Sequence, residues 1–139
     1  MRINRQDLFI QIAQLFSKRS TCGRLNVGCI IVKDNRIISS GYNGPLSTER
    51  LGDKCKCDLK VPCEKSIHAE ANSISFAAKY GIALEGAILY STHSPCIKCA
   101  ELIVQSGIKQ VVFKESFRDD TGILFLRKNN IHTLNYGEK

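Results

Sequence analysis

Two short segments carry side chains suited to holding a metal and moving a proton. They are His68-Ala69-Glu70 and Pro95-Cys96-Ile97-Lys98-Cys99. Cys96 and Cys99 are three residues apart, so at a helix start both sulfurs project to one side of the first turn and can chelate one ion. A helix N-terminus favours thiolate, the form that binds metal, and Pro95 pre-sets the backbone where such a helix begins. With the imidazole of His68 they make three ligands for Zn²⁺. A structural site is closed by four, so three ligands leave a position for water and point to catalysis. Glu70, two residues from His68, is placed to carry that water's protons during attack on an amidine-type ring carbon, with a carbonyl and ammonia as products. Each piece alone has a bland explanation in a redox pair, a surface histidine or a solvated glutamate. The conjunction favours the functional reading over the bland one.

These residues need elements to bring them together. Leu8, Phe9, Ile12, Leu15 and Phe16 recur at helical spacing after a start signal at Asn4 and Asp7. The apolar runs at 27–32 and 37–40 flank the turn formers Asp34 and Asn35 and read as a β-hairpin. A turn-rich stretch at 41–62 follows, with Gly44, Pro45, Gly52 and Pro62. Beyond it, helices are expected from His68 to Tyr80, from Cys96 to Ser106 before Gly107, and from Asp119–Asp120 to Lys128. They alternate with strands at 87–90, 110–113 and 131–134. The pattern predicts an α/β fold in three layers, α/β/α, with a mixed five-stranded sheet and helices on both faces.

The 139 residues, 43% of them apolar, suit a single domain over 1–139. No apolar run is long enough to cross a bilayer and no basic-then-apolar leader opens the sequence as given, so a cytoplasmic location is expected. Twenty basic residues against 13 acidic ones leave a net charge of +7, which suits an anionic partner without choosing one. Seven cysteines, an odd number, argue for reduced thiols rather than a disulfide framework. Two belong to the motif, and Cys29 sits in an expected buried strand. Cys22, read as ending the first helix, and Cys55, Cys57 and Cys63 in the turn-rich stretch could close a structural zinc. The alternatives are four free thiols, or three ligands completed by a histidine.

At these residues the chain resembles the zinc-dependent cytidine and deoxycytidylate deaminases, whose signature is H-x-E…P-C-x-x-C. The nearer resemblance is to the deoxycytidylate (dCMP) deaminases. It rests on Arg19-Ser20-Thr21-Cys22 with Arg24, on Val27-Gly28, on the hairpin Ile31 to Ile38, on Gly41-Tyr42-Asn43-Gly44 and on Gly81 to Val112. It spans about residues 5–135.

The resemblance implies a cytidine deaminase-like fold and the hydrolysis of dCMP to dUMP and ammonia, in pyrimidine deoxynucleotide metabolism. His68, Cys96 and Cys99 would hold the catalytic zinc and Glu70 would shuttle the protons. Asn43 would reach the sugar, unless it is only a turn residue, and Arg24 the 5′-phosphate, unless it is only a surface arginine. Gly41, Tyr42 and Gly44 resemble the segment tied to control by dCTP and dTTP, with Mg²⁺ and a hexamer. Cys63 matches the pattern of a second zinc. Ser73 departs from the alanine common at its position, and Cys29 stands where a small apolar residue is usual. His93, just before Ser94-Pro95, is a third departure. Two rival readings share the motif: a tRNA or other nucleic-acid adenosine or cytidine deaminase, and a non-catalytic zinc-binding module. The basic residues are scattered without interleaved aromatics for stacking bases, and Glu70 beside an open metal position has no use in a purely structural site.

Overall fold

The computed structural model describes residues 1–46, 66–117 and 119–138. Helix α1 spans Arg5–Ser17. It starts as its sequence requires, with the Asn4 side chain accepting a hydrogen bond from the Asp7 amide at 2.8 Å. Strands β1 (Gly28–Lys33) and β2 (Arg36–Tyr42) form the hairpin. Asp34 and Asn35 both take positive φ at its turn, which short polar side chains tolerate. Then come α2 (Ala69–Lys79), β3 (Ile88–His93), α3 (Ile97–Ser106), β4 (Gln110–Glu115), α4 (Thr121–Lys128) and β5 (His132–Asn135), and a short 3₁₀ turn.

The sheet runs β2-β1-β3-β4-β5. β1 is antiparallel to both its neighbours, whereas β3, β4 and β5 are parallel, joined through α3 and α4. The period of two in β1 explains the layers. Ile30 and Val32 face α1, packing with Phe9, Ile10, Tyr90 and Val112. Cys29 and Ile31 face the other way, into a larger core with Ala77, Ile103, Val111 and Leu126 from α2, α3, β4 and α4. The three-layer α/β/α fold with a mixed five-stranded sheet is therefore the one expected.

Two expectations need correction. Gly41 and Tyr42 belong to β2, not to the loop, because they pair with Cys29 and Gly28 in a register set by the other strand. Cys22 does not end α1; the helix stops at Ser17 and Cys22 lies beyond it, buried, in the segment leading to β1. Cys55, Cys57 and Cys63 lie outside the described residues.

Close backbone packing explains Gly28. A methyl group there would overlap the Ala13 carbonyl oxygen and the Ser17 backbone nitrogen of α1, neither of which can swing away. Gly28→Ala should therefore force α1 off the sheet, costing about 3 kcal/mol and roughly 10 °C in Tm. Thermal unfolding of the variant checks this, and a Tm within about 2 °C of wild type would contradict it.

Candidate active site

His68 is the N-cap of α2 and Cys96 the N-cap of α3, both with extended backbone. Cys96 sits where a serine or aspartate commonly caps a helix, and its sulfur accepts the Cys99 amide at 3.5 Å. The start of α2 is fixed by backbone. Gly44 and Ile67 exchange two hydrogen bonds, at 3.1 and 2.7 Å, and the Asn72 side chain donates to the Tyr42 carbonyl at 2.7 Å. Gly41 lets β2 approach α2 closely, since a methyl group there would meet the Ala69 carbonyl oxygen and the Ser73 amide. The start of α3 is fixed in the same way. Ser94 donates its amide to the Glu115 carbonyl at 2.8 Å and its hydroxyl accepts the Phe117 amide at 2.9 Å. Gly122 of α4 lies against the Pro95 and Cys96 carbonyls with no room for a side chain.

The two helix starts meet. The Nδ1 of His68 is 3.5 Å from the Cys96 sulfur and 3.4 Å from the Cys99 sulfur. The ligating atoms of all three residues lie within 4.8 Å of one another. Tetrahedral zinc, with bonds of about 2.3 Å to sulfur and about 2.0 Å to nitrogen, holds nitrogen and sulfur about 3.5 Å apart. The donor set thus fits zinc in chemistry, and its nitrogen–sulfur distances match the spacing zinc requires.

Charge is arranged to match. Hydrogen bonds with Cys99 and His68 pull the Cys96 thiol down to about 3, which favours its thiolate. The same pairing raises His68, whereas the neighbouring Cys96 and burial push Cys99 up. Metal binding would release these protons. Glu70, in the first turn of α2, is only 4% exposed, and burial is the main cause that carries its carboxyl up to about 7.

Around this centre the other singled-out residues divide. Asn43 is buried next to Gly44. Its side-chain oxygen accepts the Val27 amide at 2.9 Å and its nitrogen donates to the Leu25 carbonyl at 2.7 Å. That ties the β2 end to the entrance of β1 and leaves one hydrogen and one lone pair of the amide for other partners. Arg24 is exposed in the same entrance segment. Ser94 and Gly122 were not singled out by sequence reasoning. A glycine at the second position of a helix is the signal that could have flagged Gly122.

An α/β/α layer with one histidine and two cysteines meeting at helix starts, beside a buried glutamate, is the arrangement of the zinc deaminases. Residues 3–115 match the family described as the cytidine and deoxycytidylate deaminase zinc-binding region, and the chain belongs to that family. It is 40% identical to the ComE operon protein 2 of Bacillus subtilis (strain 168), over 84% of this chain and 62% of that protein. It is 36% identical to the deoxycytidylate deaminase of Schizosaccharomyces pombe, over 81% of this chain and 38% of that protein. The chain thus spans less than two thirds of the length of either relative. Among solved structures, the dCMP deaminase of cyanophage S-TIM5, in complex with dCMP and dUMP, superposes with a TM-score of 0.89 at 31% identity, covering 97% of this chain and 98% of that one.

Proposed function

We propose that this chain hydrolyses dCMP to dUMP and ammonia. The observation that carries the reading is the meeting of His68, Cys96 and Cys99 within 4.8 Å beside the buried Glu70. Zinc held by these three residues would supply Lewis acidity toward a water molecule in its open position. Glu70 does the proton work: its carboxylate takes a proton from water as C4 of the cytosine ring is attacked, passes one to the ring nitrogen N3, and helps the amine leave as ammonia. Glu70 is 4% exposed, which limits exchange of that proton with bulk solvent. Asn43, which bonds the Leu25 carbonyl, and Arg24, the residue before Leu25, are assigned to the deoxyribose and the 5′-phosphate.

Support for dCMP over a base in RNA comes from the relative and the solved structure named for dCMP. Neither alternative reading is favoured. Ammonia release from dCMP, CMP, deoxycytidine, dCTP and adenosine in RNA tests this; activity on dCMP alone is expected, and turnover of free nucleosides without dCMP would refute it.

The finer parts of the reading rest on the resemblance. They are a second, structural zinc on Cys22, Cys55, Cys57 and Cys63, control by dCTP and dTTP with Mg²⁺ through the segment of Gly41, Tyr42 and Gly44, and a homo-hexamer; a cytoplasmic location is proposed apart from the resemblance. No described helix is long and apolar enough to cross a membrane. Metal analysis should return about two zincs per chain, and a count of one removes the structural site but not the enzyme. A rate curve that is sigmoidal in dCMP and becomes hyperbolic with dCTP is expected, whereas a curve indifferent to both triphosphates excludes the control.

A further inference from the structure

The apolar face of the sheet beneath α2 contains a chain of polar groups. Ser73 and Cys29 are fully buried, and Ser39 is 4% exposed. Hydroxyls in such a place cost free energy unless they are bonded, and each of these is bonded. The Ser39 hydroxyl of β2 donates to the Ser73 carbonyl at 2.6 Å. The Ser73 hydroxyl donates to the Glu70 carbonyl at 2.8 Å, and the Cys29 sulfur of β1 lies 3.2 Å from the Ser73 oxygen. Ser73 has one hydrogen and gives it to Glu70, so Cys29 is the donor in the remaining contact. Burial keeps the Cys29 thiol protonated, as that role requires.

Two strands therefore hold one residue of α2, and that residue holds the peptide of Glu70. An alanine would fill the space of Ser73 without its oxygen. What the oxygen adds is a bond to the first turn of α2, at the residue whose side chain must face the substrate in a single orientation. We propose that Ser73, backed by Cys29 and Ser39, is a positioning residue for Glu70. It fixes the helix turn that aims the carboxyl and touches no substrate itself. The inference rests on the deaminase reading of Glu70.

Zinc-loaded Ser73→Ala is the test. It should lose about fivefold in kcat on dCMP, the worth of one hydrogen bond, with KM within about twofold of wild type. Its zinc content should be unchanged, and the amides of the first turn of α2 should exchange with deuterium faster. Cys29→Ala should lose about twofold, while Cys29→Ser, which keeps a donor, should match wild type. If Ser73→Ala does not fold, Cys29→Ala decides on the same readouts. A wild-type kcat, a wild-type exchange rate in that turn, or a kcat loss that merely follows lost zinc or lower Tm would overturn the proposal. If the wild-type protein turns over no dCMP, the substrate reading fails, and the exchange comparison still decides whether Ser73 holds the turn.

Discussion

Glu70→Gln is expected to keep its zinc and lose deamination by about 10³- to 10⁴-fold. The substitution preserves shape and removes one capability, the exchange of protons. General acid–base catalysis by one group is worth about 10²- to 10⁴-fold, and Glu70 is asked to move more than one proton per turnover, so the upper part of that range applies. No ligating atom changes, since the proposed donors are His68, Cys96 and Cys99. Stability should not suffer either. Glu70 is buried, and an ionised carboxylate in that place opposes folding, so the metal-free variant should unfold at the same temperature as metal-free wild type or higher. Ammonia release and zinc content, measured on the same sample, check this. Full zinc with activity within tenfold of wild type would remove Glu70 from the mechanism.

Cys99→Ala should remove the metal altogether. Cys99 is 3% exposed and is proposed as one of three donors, and its loss would leave a nitrogen and a single sulfur that hold zinc far more weakly. After dialysis against a chelator the variant should carry no catalytic zinc, show no measurable turnover, and regain none when zinc is returned. Loss of the metal can be separated from loss of the fold. Trimming one sulfur from the start of α3 costs about 1 kcal/mol, and the cap of that helix is made by the Cys99 backbone amide, which remains. Metal-free variant and metal-free wild type should thus unfold within about 5 °C of each other. Stoichiometric zinc surviving the chelator would overturn the assignment.

The centre was legible because its residues lie at the starts of elements with strong local signals. Cys96 and Cys99 share one helical turn, and His68 precedes a helix whose end at Gly81 is also marked, so the chemistry needed no long-range information. The hairpin was legible from two apolar runs on either side of Asp34 and Asn35, which take positive φ at the turn. What escaped depends on distant partners. Asn43 bonds backbone groups 16 and 18 residues away, and no local pattern reveals whether an asparagine after a strand meets a sugar or a neighbouring strand. Gly41 looked like a turn residue because glycine usually marks one, whereas its reason is the helix crossing above it. Ser73 and Cys29 stood out only as departures from a family pattern. Their meaning lay in hydrogen bonds between β1, β2 and α2, which only the folded arrangement supplies.

Gly28, Gly41 and Gly122 share a property that bears on how this protein can vary. At each, the neighbour that forbids a side chain is main chain rather than another side chain: α1 at Gly28, α2 at Gly41, the Pro95–Cys96 turn at Gly122. A clash between side chains can be relieved by a compensating change in the partner, but a clash with a peptide group has no second-site suppressor of that kind. The scaffold beneath the proposed metal ligands is therefore gripped by contacts that sequence drift cannot renegotiate. In a saturation library of this chain, these three positions should tolerate fewer replacements than the larger buried side chains such as Ile103 or Leu126, which a different hydrocarbon can replace.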